Sequence, residues 1–580
     1  MDVIKAVQNY VNKMIADTSG MKALLLDVDT TQIISMVTTQ STLLSQEVFL
    51  TDRLENAERE KMRHLKCICF VRPTPESIQH FIDELRAPKY GEYYLYFSNI
   101  IKKSSLERLA ESDEYEMVKS VQEFFADYLA INPDLLSLNI HPPQYTLFSD
   151  SPSTWSPPSL VRSTEGLVSL LLSLKKKPVV RYEKNSAMGK KLAQEVQYVM
   201  GQESPLFEFR RGETQPLLLI LDRKNDPVTP LLTQWTYQAM VHELLGISNG
   251  RVTLPPSADN PKGTEVVLST SGTLDPFFAS NMYENFGDLG ANIKEYVDTY
   301  QSKAKTNKSI ESIADMKRFV EEYPEFRRLS GNVSKHVSLV SELSRRVEGD
   351  NLLETSELEQ SLACNDNHTA DLRSVQRLIQ QPIPDASKIR LVALYALRYE
   401  SNPSSALPTL LSLLSNAGIP SHQVATISRL LQYAGQRERQ EDLFGGTGFL
   451  GRARSGMKGL KGVENVYTQH TPRLSETLTS LLRSRLPTTT HPYISDPPSQ
   501  QRVQDVLVFF VGGVTYAEAM VVNKFNASQE AMKAGVRVVL GGTTVCNSGS
   551  FVEEVRVGGE RWARTTAGGR LGATGGADLR

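Results

Sequence analysis

Short apolar runs alternate with amphipathic stretches over residues 21 to 133, and this alternation predicts an open α/β sheet. The apolar runs predict strands at Lys22–Asp27, Thr31–Val37, Leu65–Val71 and Glu92–Ser98. Helical periodicity predicts helices at Asp52–Arg63, Pro75–Arg86, Ser105–Ala110 and Asp113–Ala130. Residues 1–133 are therefore expected to form a first α/β domain.

A second α/β pattern follows, and it is interrupted in the chain. Its elements are a helix at Thr164–Leu174, a strand at Pro178–Tyr182, a helix at Ser186–Met200 and an apolar run that ends at Asp222. Two further buried strands come only much later, at Asp505–Val511 and Val536–Leu540. Two isolated buried strands would not be stable alone, so we expect them to complete the second sheet. The second domain is thus predicted to be discontinuous, comprising residues 134–226 and 491–557.

The intervening residues 227–490 have helical periodicity and predict a third, mostly helical domain. Apolar stripes on both sides of a polar stretch predict a long helical hairpin at 288–347, with Pro324 in its second arm. A proline removes a backbone donor and costs about 3 kcal/mol in a straight helix, so the arm should bend or break there. Pro324 is therefore a candidate switch, although an ordinary kink between packed helices is the alternative.

The last residues, 558–580, are rich in Gly, Ala and Arg and lack hydrophobic periodicity. Such a composition does not provide the apolar surface that a folded element needs to bury. It predicts a disordered tail.

Composition excludes several classes of function. The 580 residues include 64 Lys plus Arg and 66 Asp plus Glu, a balance that argues against nucleic acid as a partner. Cys67 and Cys69 should share one strand face, but their spacing does not fit a zinc site, so reduced thiols and no metal or cofactor are expected. Reduced thiols suggest a cytoplasmic protein. The apolar runs are too short to span a bilayer, so any work at a membrane should go through a partner.

One motif suggests an enzyme. Leu24–Thr31 matches the first motif of haloacid-dehalogenase-type phosphohydrolases, in which Asp27 would attack phosphorus and Asp29 would act as acid and base. However, the next residues return to a strand-like pattern, and no convincing Lys, Ser or Thr at a strand end completes a phosphate site. Because short motifs often match by chance, this phosphohydrolase is kept as the alternative hypothesis.

Several longer blocks resemble the SM family, the Sec/Munc-type regulators of SNARE-driven membrane fusion. In chain order they are Gly20–Asp27, Phe70–Ser77, Leu219–Pro227, Thr236–Met240 and Phe510–Glu518. Their order and spacing extend the resemblance over nearly the whole chain. The blocks Lys458–His470 and Gly541–Ser548 are most similar to the vacuolar-protein-sorting branch numbered forty-five, which serves endosome and trans-Golgi traffic.

The resemblance implies a fold of α/β and α-helical class, a three-domain arch whose second domain is discontinuous. It also implies a non-enzymatic protein, a monomer that binds a syntaxin-type (Qa) SNARE and promotes SNARE assembly in vesicle fusion. Such a protein would be cytoplasmic and peripherally recruited to Golgi and endosomal membranes through its partners. In the family, the SNARE is held in a cleft between domains one and three, and Asp27 and Asp29 would lie near it.

Two further sites are implied by the resemblance. A short N-terminal SNARE peptide would bind the outer face of domain one at Leu106, Leu109, Ala110, Val118 and Val121. The simpler interpretation of this apolar stripe is core. The hairpin would template the pairing of SNAREs, with Pro324 at its bend and Val337 on the face for the vesicle SNARE.

Overall fold

The computed structural model describes residues 1–210, 212–256, 263–308, 313–444, 466–498 and 502–572. Its N-terminal part is an open sheet of five parallel strands in the order β2-β1-β3-β4-β5. The elements of this part are α1 (Val3–Ala16), β1 (Lys22–Leu26), α2 (Val28–Val37), α3 (Gln40–Ser45), β2 (Val48–Arg53), β3 (Met62–Val71), α4 (Pro75–Arg86), β4 (Tyr90–Phe97), α5 (Lys103–Ser112) and β5 (Val118–Glu123). Interior strand β1 is buried on both faces, as expected of a parallel sheet covered by helices.

Three predicted elements of this part are wrong. Thr31–Val37 lies in helix α2, because Asp27 and Thr30 form a reciprocal capping box that begins a helix there. Asp52–Arg63 is not a helix but the end of β2, a turn and the start of β3. Asp113–Ala130 contains the strand β5 instead of a helix.

The helix-like spacing in the last of these segments has a structural cause. The register between β4 and β5 shifts by one residue, so that Val118 pairs with Tyr93 and Val121 pairs with Leu95. Tyr93 and Leu95 are two residues apart and share a sheet face. The bulge therefore places Val118 and Val121 on one face although they are three residues apart, which imitates helical periodicity.

The second sheet has six strands in the order β6-β7-β13-β12-β9-β8. Its elements before the helical part are β6 (Leu129–Asn132), β7 (Leu135–Ser137), α6 (Pro157–Ser173), β8 (Val179–Tyr182), α7 (Ala187–Gln202) and β9 (Leu217–Asp222). Those near the C-terminus are β12 (Asp505–Val511), α18 (Tyr516–Asn526), α19 (Gln529–Ala534), β13 (Arg537–Gly542) and α20 (Ser548–Gly572). Because β12 pairs in parallel with both β9 and β13, the late strands complete the sheet as predicted. Strand β6 pairs with β7, so this sheet begins inside the range predicted for the first domain.

The helical part lies between β9 and β12. Its elements are α8 (Tyr237–Leu244), β10 (Arg251–Leu254), β11 (Thr264–Val267), α9 (Pro276–Asn281), α10 (Phe286–Lys308), α11 (Ile313–Gly349), α12 (Leu352–Cys364), α13 (His368–Ile379), α14 (Asp385–Arg398), α15 (Leu407–Asn416), α16 (Ser421–Ala434) and α17 (Leu474–Leu482). Within the described part of the chain, none of the helices combines the length and the apolar character that a membrane crossing needs.

Helices α10 and α11 form the predicted hairpin. Helix α11 is uninterrupted across Pro324, so the expected break is absent. Two contacts between the arms lie close to the proline: the rings of Tyr300 and Phe326 stack with centroids 5.4 Å apart, and the Ser330 hydroxyl lies 3.3 Å from that of Tyr300. Packing of this kind stabilises the helical path and offsets the cost of the missing donor.

The predicted disordered tail is also wrong for the described residues 558–572, which continue helix α20. Trp562 is buried, and its ring meets that of Phe148 edge to face at 5.2 Å. A Cβ atom on Gly558 would approach Phe148 to 2.7 Å, so the glycine permits close packing here. Residues 573–580 lie outside the described part of the chain.

Candidate functional site

The described structure contains a cavity of about 580 Å³. Its walls come from parts of the chain that are far apart in sequence: α1, the end of α2, α8, the turns after β12 and β13, the segment 267–278, and the first turns of α20. Residues directly after the carboxyl ends of β12 and β13 line it, at the edge of the sheet where open α/β sheets usually bind ligands. No local motif marks these residues, and for that reason the sequence analysis did not find them.

The lining of this cavity is apolar with isolated polar groups. Ile4, Leu268 and Phe278 contribute apolar surface. Burial raises the pKa of the Glu554 carboxyl to about 7, and this carboxyl accepts a hydrogen bond from the Leu147 amide at 2.9 Å. Such a surface suits the apolar face of a helix better than a small charged ligand.

Two helix N-termini near the cavity already hold carboxylates of the protein. At the start of α18, Glu518 accepts a hydrogen bond from the Thr515 amide at 2.8 Å. At the start of α20, Glu243 accepts one from the Ser548 amide at 3.0 Å. Helix N-termini attract anions, so these two internal carboxylates take the place that a phosphate would use in a nucleotide-binding sheet.

Asp27 has a structural role. Its buried carboxylate accepts hydrogen bonds from the Thr30 amide (2.7 Å) and hydroxyl (2.8 Å), the Arg72 amide (2.7 Å) and the Ser77 hydroxyl (3.0 Å). Burial is the main cause that raises the pKa of Asp27. Because both carboxylate oxygens are saturated by donors, neither is free to attack phosphorus. In the described residues, no three His, Cys, Asp or Glu side chains come together as a metal site would require.

Asp29 belongs to a cluster of charges around Arg72. The Arg72 guanidinium lies 3.6 Å from Asp29, 3.1 Å from Asp127 and 2.5 Å from Glu165, and these carboxylates raise its pKa. Glu165 is on α6, so the cluster ties the second sheet region to the first. Neither Asp27 nor Asp29 lines the large cavity, and their place near the SNARE-holding cleft stays a prediction.

Three of the five residues predicted to bind a SNARE peptide, Leu106, Leu109 and Val118, belong to one hydrophobic cluster. Leu109 on α5 is buried in the core of the first sheet, and Leu106 and Val118 are half-buried against that core. Ala110 is exposed on the same helix, and Val121 is exposed on β5, which is an edge strand. Part of the set is thus core, as the simpler interpretation held, and part is an accessible apolar surface.

The two predicted hairpin residues both lie on α11. Val337 is exposed, as a surface that binds another helix must be. The side chain of Pro324 lies outside the described residues.

Known proteins are similar to this chain over nearly its whole length. The model of the Sec1 family matches residues 22–554. Vacuolar protein sorting-associated protein 45 of Schizosaccharomyces pombe is 52% identical over 96% of this chain and 99% of its own length. The human protein of the same name is 50% identical over 96% of this chain and 97% of its own length.

Solved structures agree with the sequence relatives. The SM protein Vps45 in complex with the Qa SNARE Tlg2 superposes with a TM-score of 0.89 at 55% identity, covering 100% of both chains. The Unc18–syntaxin 1 complex from Monosiga brevicollis superposes with a TM-score of 0.75 at 18% identity, covering 96% of this chain and 99% of that one, which shows the shared fold alone. The SM resemblance and the three-domain arch inferred from the motifs are both confirmed. By sequence and by structure, the chain belongs to the Sec1 family.

Proposed function

We propose that this chain binds a syntaxin-type (Qa) SNARE and promotes SNARE complex assembly in vesicle fusion at endosomes and the trans-Golgi network. The observation that carries the proposal is the full-length match to a Vps45 that was solved in complex with the Qa SNARE Tlg2. The saturated carboxylate of Asp27 favours a non-catalytic role and disfavours the phosphohydrolase alternative.

Two surfaces are suited to such a partner. The apolar cavity has the size and character to accept helical segments of the Qa SNARE. The surface formed by Leu106, Ala110, Val118 and Val121, with Leu109 buried beneath it, offers apolar anchors next to the edge strand β5. A short SNARE peptide that buried Val121 there would gain about 1 kcal/mol or more from that side chain.

The hairpin supplies a third surface. Val337 is exposed on α11, and we propose that this face contacts the vesicle SNARE during templating. Pro324 would modulate how far the second arm extends. The protein would act as a monomer without a cofactor, from the cytoplasm, and reach Golgi and endosomal membranes through its SNARE partners.

Binding to the cytosolic domain of an endosomal Qa syntaxin tests the proposal, measured by calorimetry with and without the N-terminal peptide of the syntaxin. Val121→Arg should weaken binding about tenfold or more, because a charge replaces an apolar anchor. Val161→Arg is the matched control, since Val161 is 54% exposed on α6 and Val121 is 44% exposed on β5.

Each result has a distinct meaning. Loss of affinity on removal of the peptide and in Val121→Arg alone supports capture through the first domain. Affinity that is indifferent to both changes assigns the main contact to the cavity. If no endosomal or Golgi syntaxin binds the wild-type protein, the proposed function is wrong.

A further inference from the structure

One wall of the cavity is attached to the hairpin. The segment 267–278 contributes Leu268, Leu274 and Phe278 to the cavity lining. Its backbone is held from behind by α11: the Asn332 side-chain amide donates to the Leu274 carbonyl at 3.0 Å, and the Lys335 ammonium donates to the Val267 carbonyl at 2.9 Å. The same wall segment thus faces an occupant of the cavity on one side and the second arm of the hairpin on the other.

A buried polar chain strengthens this attachment. Asp275 begins α9, where its carboxylate accepts from the Phe278 amide at 3.1 Å. The same carboxylate lies 2.7 Å from His336 Nε2 and 2.5 Å from the Lys335 ammonium. On its other side, His336 Nδ1 lies 2.8 Å from the Tyr237 hydroxyl of α8. Asp275, His336 and Tyr237 are buried, so separating them would leave buried polar groups without hydrogen-bond partners, which is unfavourable.

The geometry of α11 relates this attachment to the exposed hairpin face. Residues 335 and 337 are about 200° apart around a helix, because each residue advances by about 100°. Lys335 therefore holds the cavity wall on one flank of α11 while exposed Val337 lies on the opposite flank. His336 lies between them and is directed into the core, where its ring is 4.8 Å from that of Phe277. A displacement of the wall cannot occur without moving α11 or breaking these contacts.

We infer that Asn332, Lys335 and His336 are positioning residues that couple occupancy of the cavity to the arrangement of α11. A Qa SNARE that contacts Leu274 and Phe278 shifts the wall segment, and the shift is passed to the face of α11 that carries Val337. By reciprocity of linked equilibria, a ligand on that face changes the affinity of the cavity by the same factor. The inference rests on the proposed function, since it requires a SNARE in the cavity.

Hydrogen exchange of the full chain tests the coupling, with the cytosolic domain of the Qa syntaxin as ligand. In the wild type, binding should change the amide exchange rates of the wall segment 263–278. It should also change those of residues 329–343 of α11, by about fivefold or more. Lys335→Met keeps the aliphatic stem and removes the donor to Val267 and Asp275. This variant should bind the syntaxin with affinity within about threefold of the wild type, while the response of α11 falls below about twofold.

Two further variants make the test specific. Asn332→Ala removes the donor to Leu274 and should also uncouple α11, so the result does not depend on one substitution. Lys294→Met, at an exposed position on α10, is the matched control and should keep the full response.

A full α11 response in both Lys335→Met and Asn332→Ala would overturn the coupling, as would a wild-type response confined to the wall. These outcomes leave the proposed function intact, because each requires that the syntaxin binds. Absence of binding by the wild type would instead overturn the proposed function, and the coupling with it.

Discussion

Replacement of Arg223 by Met should destabilise the second sheet strongly. Arg223 and Glu518 are both 0% exposed and lie 2.6 Å apart, although they come from opposite ends of the divided sheet region. The guanidinium also donates to the Gly513 carbonyl at 2.9 Å and to the Asp226 carbonyl at 3.0 Å. Its Cζ atom lies over the ring of Phe510, 4.5 Å from the ring centroid. The side chain thus joins the turn after β9 to the turn after β12.

The magnitude follows from these contacts. Removing one partner of a buried ion pair costs about 3–5 kcal/mol, because the remaining charge is left without compensation. The double variant Arg223→Met/Glu518→Gln removes that charge and keeps an oxygen for the Thr515 amide that Glu518 now caps. The double variant should therefore be about 1–3 kcal/mol more stable than Arg223→Met. It should not reach the stability of the wild type, because the carbonyls of Gly513 and Asp226 still lack their donor.

Amide exchange of individual strands is the suitable assay, because a chain of several domains does not unfold in one two-state step. Peptides from β9 and β12 should lose protection in Arg223→Met and regain part of it in the double variant. Peptides from β3 in the first sheet serve as the internal control. A cost below about 1 kcal/mol, or a double variant no more stable than the single one, would refute the assignment of the effect to an unpaired charge.

Three other predictions concern buried acids and thiols. Burial raises the pKa of Glu183 to about 7, from 4.5, so its stabilising contribution is complete below pH 4.5 and is lost as the pH rises through 7. Glu183→Gln should remove this dependence and melt higher than the wild type at pH 8; an equal or lower melting temperature there would contradict it. Asp27→Asn should lower the stability of the first sheet by about 1–2 kcal/mol, seen as faster exchange in β1, and the wild type should not hydrolyse p-nitrophenyl phosphate above the buffer rate. Cys67 and Cys69, both buried, should resist iodoacetamide in the native protein and react after unfolding, as followed by mass spectrometry.

Local sequence patterns determined much of this protein. Continuous apolar runs specify β1, β9, β12 and the second half of β3, because strands buried on both faces require apolar residues. The isolation of the late strands was enough to predict that they complete the second sheet. Ordered motifs along the chain identified the SM family before any geometry was known.

Other features were decided by tertiary structure alone. The stripe that contains Val118 and Val121 looked helical in sequence, but it lies in the edge strand β5, where a bulge opposite Tyr93 and Tyr94 shifts the register. Trp562 packs against Phe148, a contact that composition alone did not reveal. Asp27 matched an enzyme motif, and its cap of α2 through Thr30 is local. The donors that saturate its second oxygen come from Arg72 and Ser77, which only the folded chain brings near. The cavity and its attachment to α11 likewise join segments distant in sequence. Patterns in sequence report local periodicity and burial, whereas a site depends on which distant segments pack together, and that is decided by the fold.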